Sequence, residues 1–135
     1  MSGGTRGNRD ERGQALVEFA LVVPLLLMLV IGVFEFGRAY NVYQVITDAA
    51  REGARTAVVA DPTMTYDSVL TTIRSALGRA GLNPGSATIG LNGWRTGTGT
   101  PVAVTIQFPY SFVFLRPLTQ LTPITLQTAF TMRNE

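Results

Sequence analysis

The spacing of apolar positions changes along the chain, and each spacing predicts a different element. Residues 1–13 are polar, charged and rich in glycine. They cannot bury enough apolar surface to fold, so we expect a disordered leader. Residues 15–34 are apolar almost without interruption over about twenty residues, the length that crosses a bilayer. Residues 35–59 keep apolar and small side chains at three- and four-residue steps, so one helix should run from about residue 15 to about residue 59.

A second helix and three strands are predicted after the break at Asp61-Pro62. Residues 67–80 carry an apolar stripe at helical spacing, with Asp67 as the expected cap and Gly81 as the expected end. The period then changes to two in three runs, which predicts an antiparallel sheet of about three strands with one buried face. These runs are Ala87–Leu91, Val102–Phe108 and Ile124–Met132. The connection 111–123 is apolar and either lines the core or forms an exposed contact loop.

The expected fold class is therefore α+β, and the chain divides into four segments. The leader 1–13 would be cytoplasmic, residues 14–36 would cross the membrane, residues 37–60 would continue the helix outside, and residues 61–135 would form a small α/β domain there. Three arginines precede the apolar run and one closely follows it, a bias that favours a leader inside the cell. A cleaved secretory signal would need a shorter apolar core; an ordinary uncleaved signal anchor is a further alternative. Pro24 predicts a kink or local opening.

Composition excludes several functions. The net charge is +2 and all eleven basic residues are scattered arginines, which is a poor nucleic-acid footprint. The chain has no cysteine and no histidine, so disulfides, thiol nucleophiles, Cys/His metal sites and histidine-based acid–base catalysis are excluded. Asp61 and Asp67 flank a loop, but two acids without further patterned oxygen ligands are a weak cation site. We expect no enzyme, no cofactor and no bound metal.

One acid, Glu18, lies inside the apolar run, five residues after Gly13. An ionisable residue at membrane depth costs insertion energy and is by default functional. The alternative is a carboxylate shallow enough to reach the headgroups. A glycine before an apolar helix with glutamate at the fifth position resembles the processing signal of type IV pilin-like proteins. That resemblance implies cleavage after Gly13, a mature chain starting at Gln14, and pairing of Glu18 with a neighbouring subunit's new amino terminus.

The block Asp48–Arg55 combines charges with small residues. At three-residue spacing on a helix, Asp48 with Arg51 and Glu52 with Arg55 can form solvated ion pairs. Its small residues, Ala49, Ala50, Gly53 and Ala54, permit close approach of another element. That element is either the chain's own sheet or a partner helix.

With these residues in view, the chain resembles the TadE-like family of tight-adherence (Flp-type) pilus assembly proteins. The resemblance covers about a third of the chain. The residues on which the resemblance rests are Gly13 with Glu18 and Phe19; Glu35, Phe36, Gly37 and Arg38; and the run from Ala49 to Arg55 with Arg51, Glu52 and Gly53. It implies a pilin-like domain on a transmembrane helix, with the motif residues used in packing.

The resemblance also implies a minor pseudopilin-like structural component of pilus biogenesis, processed by a prepilin peptidase. Its expected partners are that peptidase, the major Flp-type pilin, other TadE-like pseudopilins, the inner-membrane secretion platform and membrane lipid. It would lie in the cytoplasmic membrane with its domain outside, or enter the pilus. The rival interpretation is an uncleaved, membrane-anchored binding module.

Overall fold

The computed structural model describes residues 7–59, 61, 63–114 and 122–134, with side chains from Arg12 onward. These described residues form two helices, one short 3-10 turn and three strands. In chain order these are α1 (Gly7–Val58), α2 (Tyr66–Arg79), the turn Pro84–Ser86, β1 (Thr88–Asn92), β2 (Pro101–Tyr110) and β3 (Ile124–Arg133). The strands form one antiparallel sheet in the order β1-β2-β3. The predicted α+β class is thus confirmed.

Helix α1 is longer than predicted at its amino end. It has 52 residues, or about 78 Å at 1.5 Å per residue. Because it begins at Gly7, the prediction of a disordered leader is wrong for residues 7–13; residues 1–6 lie outside the described part. Arginine and glutamate are good helix formers, so the leader can prolong a helix that the apolar run nucleates. Helix α1 continues through Pro24, and the predicted kink there stays a prediction.

Helix α2 begins one residue before its predicted start, and its cap is Thr65 rather than Asp67. The Thr65 hydroxyl accepts a hydrogen bond from the backbone N–H of Ser68 at 3.1 Å, and the Ser68 hydroxyl accepts one from the backbone N–H of Thr65 at 3.4 Å. This reciprocal capping box satisfies two backbone donors. Asp67 instead lies in the first turn, where its charge favours the helix dipole. The prediction of an Asp67 cap is therefore wrong.

The sheet packs one face against the outer half of α1, so the single buried face predicted from the period of two is confirmed. Alternate residues of β2 are buried from Val102 to Tyr110. Antiparallel pairing places Val104 opposite Phe130 and Tyr110 opposite Ile124. The predicted strands are confirmed, and β2 and β3 extend slightly beyond their predicted ends. Of the connection 111–123, residues 115–121 lie outside the described part.

The small residues of α1 are covered by the chain's own domain. Ala49, Ala50, Gly53 and Ala54 are all buried. A Cβ at Gly53 would overlap the buried side chain of Ile73 on α2 and come within 3.8 Å of Val104 on β2. Of the two elements considered for this face, the chain's own fold is the one observed, with α2 as well as the sheet lying on it.

Candidate functional site

The motif residues singled out in the sequence lie at two levels of α1. The first level is the apolar half. Among the described residues, α1 is the one helix long and apolar enough to span a membrane, and no residue of its most apolar stretch is buried within the chain. This arrangement is consistent with a single-pass membrane anchor.

Gly13, Gln14, Glu18 and Phe19 lie together on the exposed amino-terminal turns of α1. The Gln14 side-chain amide donates a hydrogen bond to the Glu18 carboxylate at 3.2 Å. The residue expected to start the mature chain therefore lies one helical turn from the acid expected to meet an amino terminus. Phe19 is exposed, and a Cβ at Gly13 would meet no atom within 4 Å. None of the described elements of the domain covers this end of the helix.

The second level is the junction of α1 with the domain, which centres on Glu35. This side chain is only 1% exposed. Its carboxylate accepts hydrogen bonds from the Tyr110 hydroxyl at 2.6 Å, the Val113 backbone N–H at 3.1 Å and the Phe114 backbone N–H at 2.9 Å. The Arg38 guanidinium lies 4.0 Å from the same carboxylate. These hydrogen bonds offset the cost of burying the Glu35 carboxylate. Because their donors lie at the end of β2 and just after it, Glu35 holds this part of the domain against α1.

Tyr110 and Arg38 complete this junction. The Arg38 guanidinium lies over the Tyr110 ring, 5.5 Å from its centroid, within cation–π range. The Phe112 ring packs edge-on against Tyr110 at 5.6 Å. Burial, together with the hydrogen bond to Glu35, raises the pKa of the Tyr110 phenol to about 12. The phenol therefore stays protonated and remains a donor at physiological pH.

Further along α1, two more motif residues, Arg51 and Glu52, contact the domain. The Arg51 guanidinium lies 5.6 Å from the centroid of the Phe130 ring on β3 and pairs with Asp48 at 3.4 Å. The Glu52 carboxylate accepts two hydrogen bonds from Arg79 of α2, at 3.1 and 3.2 Å. The predicted Asp48–Arg51 pair is thus confirmed. The predicted Glu52–Arg55 pair is wrong, because α2 brings a competing guanidinium to Glu52.

Two motif residues of this half make no such contact. Gly37 has open space where a Cβ would stand, and Arg55 is exposed. Together with Glu18 and Phe19 they form an outward set on α1. The chain's own fold explains Glu35, Arg38, Arg51, Glu52 and Gly53, but it gives no packing reason for the outward set.

The loop acids do not assemble a cation site. The Asp61 carboxylate accepts hydrogen bonds from the Thr63 hydroxyl at 2.7 Å and the Thr63 backbone N–H at 2.8 Å. These bonds lower the pKa of Asp61. Asp67 is exposed on α2. Over the described ranges, no group of three or more acidic side chains is placed to hold a metal ion.

Sequence reasoning missed the partners of the junction. Tyr110 and Arg79 have no predicted contact with α1, whereas Phe130 belongs to a predicted strand with an apolar face. For Tyr110 a signal existed, since the alternation of Val102 to Phe108 continues to residue 110. For Arg79 no local signal existed, because its partner Glu52 is 27 positions away.

The fold and the junction together define this as a protein in which an α+β domain packs on the outer half of one long helix whose other half is apolar. The model of the TadE-like protein family matches residues 13–55. The resemblance inferred from the sequence is therefore confirmed over this segment, which includes both levels of motif residues. No curated protein and no solved structure matched the chain.

Proposed function

We propose that this protein is a minor pseudopilin-like structural component in the biogenesis of a tight-adherence pilus. The observation that carries the proposal is the family match over residues 13–55, a segment that includes the expected cleavage residues Gly13 and Gln14 and the junction residues Glu35 and Arg38. The TadE-like family suggests a component associated with such a pilus, and it is not a known enzyme family. The chemistry agrees, since the chain offers no histidine or cysteine for catalysis.

In this proposal α1 crosses the cytoplasmic membrane with the leader inside and the domain outside. A prepilin peptidase cuts after Gly13 and leaves Gln14 as the new amino terminus. Glu18, exposed one turn along the helix, then offers its carboxylate to that terminus in an adjacent subunit. Pairing of unlike charges offsets their desolvation in the membrane.

The exposure of the outward set supports direct contacts between α1 and partner subunits. Glu18, Phe19, Gly37 and Arg55 belong to the matched segment but lie on α1 surfaces that the described domain leaves exposed. We expect these residues to contact the major pilin, other TadE-like pseudopilins or the inner-membrane secretion platform. The contacts between α1 and the domain already account for the other junction residues, which are Glu35, Arg38, Arg51, Glu52 and Gly53.

Substitution of Glu18 tests the proposal. Glu18→Ala should leave protein level and membrane insertion unchanged, because it makes the apolar run more apolar, yet it should reduce the amount of pilus on the cell surface. Glu18→Gln keeps the shape and removes the charge, so it should behave like Glu18→Ala. Leu21→Ala is the matched control, an exposed position on the same run. Pili are measured by electron microscopy and by immunoblotting of the sheared fraction. Normal pilus output from both Glu18 variants would contradict the proposal.

A further inference from the structure

The residues that follow β2 are fixed at the level where the apolar half of α1 ends. We call Ser111–Phe114 the β2 corner. Its backbone N–H groups at Val113 and Phe114 bind the Glu35 carboxylate. Glu35 directly follows Phe34, the last residue of the apolar run, so it lies about 1.5 Å further along the helix axis. The β2 corner is therefore level with the outer end of the proposed membrane span.

The surface at this level is apolar and exposed. Val113 is 49% exposed, Phe114 53% and Phe36 74%. Ile124, the first residue of β3, is 42% exposed. Single exposed apolar residues are ordinary on a protein surface, but several large ones gathered beside a membrane-length helix mark an interaction surface.

An open groove of about 370 Å³ joins this surface to the span. It lies between α1 and the start of β3, and its walls include Gly32, Phe36, Tyr40, Phe112, Ile124 and Leu126. Gly32 belongs to the apolar run itself. The groove therefore continues the apolar face of the helix without interruption from membrane depth to the domain.

The residues one turn further out suit a lipid–water boundary. Tyr40 is exposed on the wall of the groove, and the exposed Arg38 guanidinium projects beside Tyr110. Tyrosine is enriched at membrane interfaces, where its ring meets the acyl region and its hydroxyl meets water. Arginine can extend its charged end to phosphate groups from such a position.

We propose that the β2 corner and this groove rest in the outer interfacial layer of the bilayer, with lipid acyl chains covering the groove. The inference rests on the proposed membrane-spanning role of α1. Lipid is favoured as the occupant because Gly32 of the apolar run lines the groove, and because Tyr40 lies on the groove wall at its outer end. The membrane would then fix the height and tilt of the domain above it.

Single labels can test this contact cleanly, because the chain has no cysteine of its own. Three full-length variants, Val113→Cys, Leu26→Cys and Thr98→Cys, are labelled with a polarity-sensitive fluorophore. Each is reconstituted in phosphatidylethanolamine–phosphatidylglycerol vesicles containing lipids with a nitroxide at a shallow or a deep position. Leu26 reports the span. Thr98 is the matched control, an exposed loop position at the other end of the sheet, about 30 Å away along β2.

The expected result is a blue-shifted label at Val113 that loses intensity with the shallow nitroxide. The Leu26 label should respond most to the deep nitroxide and the Thr98 label to neither. A Val113 label that behaves like the Thr98 label, while Leu26 is quenched, would overturn the inference and leave the anchor intact. An unquenched Leu26 label would overturn the membrane span, and the inference with it. Self-quenching between Val113 labels without quenching by lipid would show that a second copy covers the groove, which also overturns the inference.

Discussion

Replacing Glu35 by alanine should destabilise the domain more than any other removal of an acid from α1. The perturbation deletes the carboxylate that accepts from Tyr110, Val113 and Phe114. Hydrogen bonds to a charged group contribute about 1.5–3 kcal/mol each, yet their losses do not add. The buried Tyr110 hydroxyl keeps one weaker acceptor, the Glu35 backbone carbonyl at 3.2 Å.

Two further details limit the loss of unfolding free energy expected for Glu35→Ala. Val113 and Phe114 are about half exposed, so water can replace the carboxylate at their N–H groups. The Arg38 guanidinium is 4.0 Å from the carboxylate and is itself exposed to solvent, so this ion pair should add little. We therefore expect Glu35→Ala to lower the free energy of unfolding by about 2–4 kcal/mol, most of it from Tyr110 and the cavity left behind. Combined with Tyr110→Phe, the two losses should fall short of additivity by about 1–2 kcal/mol.

The assay is urea unfolding of the full-length protein in detergent, followed by the fluorescence of Trp94. This is the single tryptophan of the chain, and its ring packs edge-on against Tyr66 at 5.7 Å. Asp48→Ala is the matched control, because Asp48 also has an arginine three residues later but is exposed. It should cost less than about 0.5 kcal/mol. A Glu35→Ala loss no larger than that of the control would refute the role assigned to Glu35.

Two further predictions concern packing and pH. Gly53→Ala should lower the free energy of unfolding by about 1–3 kcal/mol, because the added methyl group would overlap Ile73. Gly37→Ala should leave the free energy of unfolding unchanged or raise it by up to about 1 kcal/mol, because the space there is open. Equal effects of the two variants in urea unfolding would contradict this prediction. The folded protein holds the Tyr110 proton more tightly than the unfolded chain, whose ordinary tyrosine pKa is 10.0. The Tyr110 contribution is therefore complete below pH 10.0 and should be lost as the pH rises towards about 12. Tyr110→Phe should remove this part of the decline, and an identical pH profile for both proteins would argue against it.

The elements of this fold were predictable where side-chain periodicity reports burial directly. Helix α1 followed from the apolar run and the helical spacing after it. The strands followed from alternation, because β2 lies against α1 with one face and alternates buried and exposed residues along its length. The cap of α2 was missed because Asp67 and Thr65 are both acceptable capping residues. The geometry that selects Thr65 arises only with the Ser68 contact.

The junction was less predictable because its contacts join residues distant in sequence. Glu35 was recognised as a motif residue, but two of its partners are backbone N–H groups, which have no sequence signature. These donors lie 78 and 79 positions away. The Glu52 prediction failed for a related reason, since spacing along one helix cannot foresee that Arg79 arrives from another. Local patterns thus located the important residues of α1 without identifying what they bind.

The central claim, that this protein is a processed pilus component, is tested most directly by the mature amino terminus. It is determined by intact mass and amino-terminal sequencing of the protein isolated from native membranes of cells with an active prepilin peptidase. A Gly13→Leu variant, which places a bulky side chain before the expected cut, serves as the control. The account predicts a start at Gln14 in the natural sequence and an unprocessed chain in the variant. A start at Met1 or Ser2 in the natural sequence would contradict it and favour an uncleaved, membrane-anchored binding module.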